Sequence, residues 1–356
     1  MAYATINKGS DHFNTKLYTG NNSSSNAITG VGFQPDWVWL KARNYGESHR
    51  AYDVVRGAAN YITPNSTGAQ SNSFPLTSFD SDGFTIGSAD GSINGNYNYV
   101  SWNWKAGTSS GISGGTITPS SYSISAASGF GIYKYTGTGS NGTIAHGLGT
   151  APSLIIIKQT DDTANWAIYY NPLGGSSPQT QINGQQGRYM SFQTSGFSTA
   201  SSAWNDTAAT SSVFSLGTTS LVNESSKTYI AYAFADVIGY QRTCGWYANA
   251  DSNGPFLYTG FKPAFFLMFN INNGSRWQIA DSKRNPSNEI DKKLAPQNSN
   301  VEATTGDIGC DFLSNGIKIR SGSTSDANYG NNNMMYGLAI AEHPLVASND
   351  VVATAR

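Results

Sequence analysis

One short pattern occurs three times in this chain and constrains what the chain can fold into. Each copy has a glycine turn, then a proline, then four or five apolar or aromatic residues; the copies are 30–41, 147–158 and 258–270. Proline lacks an N–H and has a fixed φ, so it begins a β-strand but does not sit inside one. An apolar run bounded by glycine and proline is typical of a short buried strand. The pattern therefore predicts three equivalent buried strands.

A second shared pattern closes each copy. Large apolar residues alternate with small or polar residues at 99–105, 229–235 and 335–341. Alternation at period two is typical of a strand with one buried face. The spacing of the two patterns gives three units of roughly 110 residues, a length that can hold its own core.

The composition agrees with a β-rich fold. Charged residues make up 12% of the chain, and 39 glycines accompany many Ser, Thr and Asn residues. No long stretch has the three-and-four spacing of an amphipathic helix. We therefore predict an all-β protein of three tandem antiparallel β-sandwich domains. The strands expected in equivalent central positions are 37–41, 153–158 and 264–269.

The repeats divide the chain at glycine-rich and polar stretches. The expected parts are an N-terminal arm, 1–16; a first sandwich, 17–106; a Gly/Ser/Thr-rich linker, 107–129; a second sandwich, 130–236; a third sandwich, 237–345; and an exposed C-terminal tail, 346–356. The linker composition predicts flexibility between the first two units. Residues 203–227 are interpreted as an insertion, either a hairpin or a surface loop. Because an arm is disordered unless it docks, we expect the arm to contact a neighbouring molecule.

Charge and hydropathy exclude several classes of protein. A net charge of −1 with 21 basic and 22 acidic residues and no basic run argues against a nucleic-acid partner. No apolar stretch is long enough to cross a membrane, and the first residues lack the apolar core of a signal peptide. We expect synthesis in a cytoplasm and, if the protein leaves the cell, exit by another route such as cell lysis. Cys244 and Cys310 are interpreted as reduced core residues, with a single disulfide as the alternative.

Comparison of the three copies tests each possible catalytic or metal group. Asp80-Ser-Asp82-Gly resembles a fragment of a calcium loop, but the equivalent turns at 193–196 and 313–316 keep only the glycine, which favours a turn. Glu289-Ile-Asp291 begins like the Glu-x-Asp-x-x-Glu strand of β-sandwich glucanases, yet the second glutamate is missing, so the pair of carboxyls needed for glycoside hydrolysis is incomplete. We predict no catalytic residue, no metal and no cofactor.

The remaining candidates are aromatic and charged surface residues. Trp204, Tyr97 and Tyr329 lie in polar, loop-like surroundings and are the candidates for stacking on a sugar ring. The alternative is that they only cover neighbouring apolar area. Arg50, Asp53 and Arg56 form a charged cluster that is either a recognition loop or a set of residues that pair with each other or with a neighbouring domain, as an interface. The tryptophans at alternate strand positions are assigned to the core: Trp37, Trp39, Trp102 and Trp104.

The first unit resembles a module of tailed-bacteriophage virion proteins, especially marine, cyanophage-like ones. The resemblance rests on Gly-Val-Gly-Phe-Gln-Pro-Asp-Trp-Val-Trp-Leu-Lys, His-Arg-Ala-Tyr-Asp-Val-Val-Arg-Gly, Phe-Asp-Ser-Asp-Gly-Phe-Thr-Ile-Gly and Tyr-Val-Ser-Trp-Asn-Trp-Lys-Ala-Gly. It is close over residues 1–106 and looser afterwards, where the His-x-x-x-Asp-x-x-Arg-Gly element is not recognised. It implies a jelly-roll or SPRY/concanavalin-like β-sandwich and a tail-fibre or other structural role, with no catalytic residues to carry over.

Three classes of function follow as hypotheses. The first is a virion structural component, a tail fibre or appendage, located in the virion. The second is a carbohydrate-binding adhesin or receptor-binding protein that uses its loops on a host surface glycan, or a capsid-decorating head fibre. The third is a glycan-degrading enzyme. Because low charge favours association, we also expect a homo-oligomer, with a trimer favoured, and contacts with other virion proteins.

Overall fold

A computed structural model describes residues 4–171, 188–193, 198–199, 202–270, 276–304, 308–322 and 327–346. In these residues the protein is almost entirely β, with one short α-helix and one 3-10 turn, Gly9–Asp11. All strand pairs are antiparallel. The predicted all-β sandwich class is confirmed.

The first unit has a large and a small sheet. Its strands are Phe13–Thr19 (β1), Asn26–Thr29 (β2), Trp37–Ala42 (β3), Arg50–Asp53 (β4), Tyr61–Ile62 (β5), Leu76–Asp80 (β6), Gly83–Ile86 (β7) and Asn98–Trp104 (β8). The large sheet has the order β1-β8-β3-β4-β5, and the small sheet has the order β2-β7-β6.

The second unit repeats this plan. Its elements are Ser121–Ser125 (β9), Phe130–Thr136 (β10), Gly142–Ala145 (β11), Pro152–Gln159 (β12), Ala167–Tyr170 (β13), Arg188–Tyr189 (β14), Ser198–Thr199 (β15), Val213–Leu216 (β16), Ser220–Asn223 (α1) and Thr228–Ala235 (β17). The large sheet has the order β13-β12-β17-β10-β9, and β11 pairs with β16 in the small sheet. β14 and β15 form a separate pair.

The third unit has the same two sheets. Its strands are Gln241–Asn249 (β18), Phe256–Tyr258 (β19), Phe261–Asn270 (β20), Arg276–Asp281 (β21), Lys292–Lys293 (β22), Ala303–Thr304 (β23), Cys310–Leu313 (β24), Gly316–Ile319 (β25) and Asn331–Pro344 (β26). The large sheet has the order β18-β26-β20-β21, and the small sheet has the order β19-β25-β24.

The proline-led strands occupy equivalent positions in the three large sheets. Each of β3, β12 and β20 lies between the closing strand of its unit and the strand that follows it in sequence. The registers also correspond, because the second residue after each proline pairs with the same closing-strand position: Trp37 with Trp104, Leu154 with Phe234, and Phe265 with Ile340. The predicted equivalence is confirmed.

The three large sheets are buried on both faces. In unit one, Val38 and Leu40 face the small sheet, whereas Trp37 and Trp39 belong to a core shared by all three units. Because both faces of β3 are buried, the residues of this strand before Lys41 are all apolar and do not alternate with polar ones. One face of each large sheet therefore belongs to its own sandwich, and the other belongs to a common centre.

Aromatic contacts join the large sheets pairwise around this centre. Trp37 stacks on Tyr232 of unit two at 4.4 Å between ring centroids. Phe265 of unit three lies 5.2 Å from Phe13 of unit one, and Tyr170 of unit two lies 5.1 Å from Tyr336 of unit three. Each unit thus touches both others, which closes a ring of three. Whether each unit would fold as a separate domain stays a prediction.

The glycine-rich segment 107–129 differs from the free linker that its composition predicts. Residues 121–125 form the fifth strand of the second large sheet, paired with β10. Ile117 and Ile124 are buried, and the Ser123 hydroxyl donates to Asp36 of unit one at 2.8 Å. Two buried isoleucines and one buried hydrogen bond hold residues 117–125 in place, so this part of the segment is not the free linker that its composition predicts.

The segment 203–227 is not an insertion, which corrects the prediction from sequence. It contains β16, and Phe214 of this strand pairs with Ile144 as Phe84 pairs with Ile28 in unit one. The segment therefore supplies the second strand of the small sheet. From the sequence, this strand was expected directly after the turn at 193–196, but β16 comes later in the chain. Residues 194–196 lie outside the described residues.

The described part of the N-terminal arm docks on its own chain. Ile6 is buried in the common core, and the ring of His12 lies 5.8 Å from that of Tyr240 in unit three. Gly9 packs so closely on unit three that a Cβ there would collide with the carbonyl oxygen of Ala341. The described arm therefore packs on its own chain, and the expected contact with a neighbouring molecule stays a prediction. The predicted tail lies outside the described residues from position 347 onward.

Candidate functional site

The charged cluster of unit one forms a buried ion pair at the contact with unit two. β4 ends at Asp53, whose carboxylate accepts hydrogen bonds from the backbone N–H of Arg56 at 2.8 Å and from its Nε at 2.6 Å. The Arg56 Nη2 donates to the Ala51 carbonyl at 2.9 Å. The hydroxyl of Tyr232 in unit two donates to the same Asp53 carboxylate at 2.7 Å. Both charges are therefore satisfied inside the protein.

Unit three contains a second copy of this ion pair, which the sequence interpretation missed. Asp281 accepts hydrogen bonds from the backbone N–H of Arg284 at 2.8 Å and from its Nε at 2.5 Å. The indole N–H of Trp102 in unit one donates to Asp281 at 3.1 Å. Unit three has lost the complete His-x-x-x-Asp-x-x-Arg-Gly element, because Trp277 and Asn285 replace the histidine and the glycine, but it keeps the Asp-x-x-Arg part. That spacing is the sequence signal for the second ion pair.

In unit two a tyrosine occupies the position of the aspartate. Tyr170 pairs with Leu154 as Asp53 pairs with Trp37. Its hydroxyl crosses to unit three and donates to the carbonyls of Cys244 at 2.7 Å and Gly337 at 3.0 Å. Each unit therefore uses the last residue of this strand to bind the next unit, and the three contacts run in one direction around the ring.

The third residue of the predicted cluster, Arg50, does not join the ion pair. Its guanidinium lies over the rings of Tyr61 at 4.9 Å and Phe74 at 5.5 Å, and Nη1 donates to the Thr63 hydroxyl at 3.3 Å. These contacts hold the Arg50 guanidinium inside unit one, although its Nε has no hydrogen-bond partner among the described residues. The cluster therefore holds the fold together and presents no charge for recognition.

A buried glutamate of unit three also strengthens the contact between units three and one. Glu302 accepts two hydrogen bonds from Arg43 of unit one, at 2.8 and 3.0 Å, and one from Arg284 at 3.2 Å. These two guanidinium groups hold the pKa of Glu302 below its usual range, although burial acts in the opposite direction. The carboxylate is thus kept ionised as a clamp between units.

Trp204, a ligand candidate from sequence, is part of the core of unit two. Its side chain is buried, its ring packs edge-on against Tyr169 at 5.3 Å, and its indole N–H donates to the Arg188 carbonyl at 2.8 Å. A buried ring has no free face for a sugar. The expectation that Trp204 is an exposed platform is therefore wrong, because the ring packs into the apolar core of unit two with Tyr169 and Phe214.

Tyr97 is better placed for a ligand, and it has a partner that the sequence did not indicate. Its ring stacks on that of Tyr45 at 4.1 Å with an interplanar angle of 8°. Tyr45 is 41% exposed. Exposed asparagines surround the pair: Asn44, Asn96 and Asn98. Tyr329, the third candidate, is half-buried, and its backbone carbonyl accepts a hydrogen bond from the Asn333 side chain at 2.9 Å.

Buried lysines hold the loops that follow two of the proline-led strands. The ammonium of Lys41 donates to the carbonyls of Ala42 at 2.6 Å and Tyr45 at 3.3 Å. Lys158 makes the same contacts in unit two, with Gln159 at 2.6 Å and Asp162 at 3.4 Å. Burial lowers the pKa of each lysine to about 8. Because the same lysine contact occurs in two units, we interpret it as structural. In unit one it also fixes the loop that carries Tyr45.

The acidic and cysteine candidates have structural partners. Asp82 accepts hydrogen bonds from the backbone N–H groups of Gly30 at 2.9 Å and Gly32 at 2.6 Å, so it fixes the glycine turn that precedes β3. Asp291 accepts from Asn285 at 2.8 Å. Both cysteines are free and buried, and burial raises the pKa of the Cys244 thiol to about 12. Within the described ranges, no three His, Cys, Asp or Glu side chains come together as a metal site.

One edge strand of unit three exposes aromatic side chains. Phe256 and Tyr258 of β19 are 45% and 53% exposed, and Arg242 lies over the Tyr258 ring at 5.7 Å. β19 is the outer strand of its small sheet. The equivalent outward positions of unit one are Ala27 and Thr29, as the cross-strand registers show. The aromatic edge is therefore a feature of unit three and not of the shared fold.

Comparisons with known proteins give a family and no function. A sequence-family model described as a domain of unknown function (DUF7483) matches residues 8–344, which is nearly the whole chain and all three units. Neither a curated protein nor a solved structure matches the chain. In the part of the chain that the structure describes, none of the helices is long and apolar enough to span a membrane.

Proposed function

The chain belongs to the DUF7483 family, and we propose that it is a structural component of a tailed-bacteriophage virion, a tail fibre or appendage protein. The observation that carries this proposal is the closed ring of three sandwiches around one aromatic core. Such a block resists deformation because each unit is held by both others. Residues 1–106 resemble modules of phage virion proteins, and for this reason we propose that the protein is located in the virion.

The use of charges supports a structural role over catalysis. Asp53, Arg56, Asp281 and Arg284 are buried and paired with one another. Catalytic groups need access to a substrate, whereas these side chains have none. This burial supports the proposed structural role of these four residues, and release of reducing sugar from a host polysaccharide would favour a glycan-degrading enzyme instead.

Mass spectrometry of purified particles tests the virion location. We expect the chain in gradient-purified particles of the phage that encodes it, at a fixed copy number per particle. Immunogold labelling of the same particles separates a tail fibre from a capsid-decorating head fibre. If the chain stays in the soluble lysate and is missing from particles, the proposal fails.

We further propose that the protein forms a homo-oligomer, with a trimer favoured, through the aromatic edge of unit three. An unpaired strand edge with exposed apolar side chains is a template for pairing with another chain. The large-sheet faces are already buried inside the ring, so they do not contribute to this contact. The chain alone has a mass of 37.9 kDa, and mass photometry of the recombinant protein should show a multiple of it.

Replacing Phe256 and Tyr258 by Ser together should return the protein to a monomer. Tyr45→Ser is the matched control, because Tyr45 is an exposed aromatic on unit one. A monomeric wild-type protein at micromolar concentration, or an oligomer that survives the double change, would show that this edge is not a self-contact.

The second candidate function is a carbohydrate-binding adhesin, and the stacked pair of Tyr45 and Tyr97 is the observation that favours it. Sugar rings bind to aromatic faces beside amide groups, and three exposed asparagines lie next to this pair. A glycan array with the full chain tests it. Binding that is abolished by Tyr97→Ala and kept by Tyr258→Ala would favour the adhesin; no binding would leave the structural role alone.

A further inference from the structure

In unit two, the chain itself covers the outer strand of the small sheet. The segment 115–117 lies along β11, and its Ile117 N–H donates to the Thr143 carbonyl at 2.9 Å. The Thr143 N–H in turn donates to the hydroxyl of Thr116 at 2.8 Å. Ala145, two residues further along β11, is only 5% exposed. The outer edge of this strand therefore has backbone groups that a neighbouring stretch of chain can bind.

The equivalent strands of the other two units, β2 and β19, present an open edge. The two positions that Thr143 and Ala145 occupy in unit two are exposed in units one and three. In the part of the chain that the structure describes, no segment therefore covers them as 115–117 covers β11. The exposed residues, assigned from the cross-strand registers, are Ala27 and Thr29 of β2, and Phe256 and Tyr258 of β19.

Both open edges direct backbone groups outward. A Cβ at Gly83 would collide with the carbonyl oxygen of Ile28, and a Cβ at Gly316 would collide with that of Leu257. The carbonyls of Ile28 and Leu257 thus face the neighbouring strand of their own sheet. Because successive residues of a strand direct their backbone groups to opposite sides, the residues on either side of Ile28 and Leu257 direct theirs to the open edge. Such an edge is a template for a strand of another chain.

One antiparallel register fits β19 of one copy to β2 of a second copy. In it the buried residues of the two strands, Leu257 and Ile28, lie opposite each other and join the two cores. Each exposed aromatic ring then lies across from a small side chain, which leaves room for the ring to pack on the opposite strand. The facing pairs are Leu257 with Ile28, Phe256 with Thr29, and Tyr258 with Ala27.

The charges at one end of this register are complementary. The ammonium of Lys318 donates to the Gly254 carbonyl, just before β19. The exposed carboxylate of Asp82 accepts from the N–H of Gly30 at 2.9 Å, just after β2. Because the strands are antiparallel, the end that precedes β19 meets the end that follows β2. A lysine of one copy would therefore lie beside a carboxylate of the other.

The expected trimer favours β2 over a second β19 as the partner of the aromatic edge. Two β19 strands that pair about a two-fold axis use the same surface on both copies, so their contact closes at a dimer. A contact between β19 and β2 uses different surfaces and leaves one of each free, so it continues to a third copy. The head-to-tail contact is thus the one that agrees with a trimer.

We propose that β19 of each copy pairs with β2 of the next copy, so that their two three-stranded small sheets become one continuous sheet. This inference rests on the proposed homo-oligomer and names the surface that the aromatic edge contacts. Residues 115–117 fill the same edge in unit two, which leaves two open edges on each chain, one for each neighbour.

Sedimentation velocity of two edge variants of the full chain tests the proposal. Ala27→Lys with Thr29→Lys places charge on the β2 edge. Phe256→Ser with Tyr258→Ser removes the rings from the β19 edge. Because every contact needs both edges, each double variant alone should sediment as a monomer of 37.9 kDa. An equimolar mixture should form a species of two chains, because one intact β2 and one intact β19 remain on different chains.

Thr77→Lys with Ser81→Lys is the matched control, because it adds the same charge in and next to β6, at the opposite edge of the same small sheet. It should assemble like the wild type, and far-UV circular dichroism checks that all variants are folded.

Three results would overturn the proposal in different ways. An oligomer that persists in the β2 variant would leave the homo-oligomer standing, with β19 bound to a second β19 or to another surface. A mixture that stays monomeric would show that the two edges do not meet. A monomeric wild type would remove the homo-oligomer itself together with this contact.

Discussion

Removing the same carboxylate from the two copies of the ion pair should have unequal effects on stability. Asp53→Ala leaves the Arg56 guanidinium, with only 1% of its side chain exposed, without a carboxylate. The acceptors that remain to it are the Ala51 carbonyl and weaker contacts at 3.3 and 3.4 Å. Breaking a buried pair in this way costs about 3–5 kcal/mol. Asp281→Ala deletes the same atoms but leaves Arg284 bonded to Glu302 at 3.2 Å.

For Asp281→Ala we expect a loss of about 1–3 kcal/mol, because hydrogen bonds are removed while a counter-charge remains. The two variants should thus differ by ~2 kcal/mol, and the cavity left by alanine cancels in the comparison. Urea unfolding at neutral pH, followed by tryptophan fluorescence and far-UV circular dichroism, measures both changes. If Asp281→Ala costs as much as Asp53→Ala, or if Asp53→Ala costs under ~1 kcal/mol, the assignment of Glu302 as a second counter-charge is refuted.

Three further predictions concern pH, the arm and the core. Burial lowers the pKa of His49 well below its usual value, and its neutral ring accepts from the Trp39 indole and faces the Ala295 carbonyl, each at 3.0 Å. Below about pH 6.5 the unfolded chain binds a proton that the folded protein rejects, so the melting temperature should fall as the pH is lowered. The fall should be steeper in the wild type than in His49→Gln. Equal slopes of melting temperature against pH in the two proteins would contradict this prediction. Ile6→Ala should lower the free energy of unfolding by about 2–5 kcal/mol in urea titrations, and no loss would show that the arm is not docked. Trp204→Ala should cost about 3–5 kcal/mol and leave any glycan-array pattern unchanged; loss of glycan binding in a stable variant would restore it as a ligand residue.

The strand plan could be predicted from the sequence because its signals are local. Glycine, proline and an apolar run identify β3, β12 and β20 without knowledge of the rest of the fold. The closing strands follow from alternation at period two. These patterns recur at a fixed spacing, so three equivalent large sheets could be expected before any coordinates.

The ring of three depends on contacts between distant parts of the chain, which local patterns do not specify. A signal was present in β3, where Trp37, Val38, Trp39 and Leu40 are all apolar, and a strand of that kind is buried on both faces. The second ion pair was missed because Trp277 and Asn285 stand where unit one has His49 and Gly57, so that only the Asp-x-x-Arg spacing is shared. The composition of 107–129 concealed its two buried isoleucines.

The candidate sites were predicted less well than the fold. Tyr97 could be singled out as a tyrosine in a polar loop, but its stacking on Tyr45 requires two loops to meet in space. Trp204 looked equivalent to Tyr97 in sequence and is buried instead, since exposure depends on the packing of unit two.

Native-state hydrogen exchange tests the central claim, that three units form one closed body around a shared core, most directly. Exchange is measured by mass spectrometry at increasing urea concentration, on peptides that cover β8, β17 and β26. The three closing strands are buried in the common core, so we predict that they open with the same free energy and the same dependence on urea. If one closing strand exchanges through a separate opening of lower free energy while the other two stay protected, the units are independent domains and the account of the ring is contradicted.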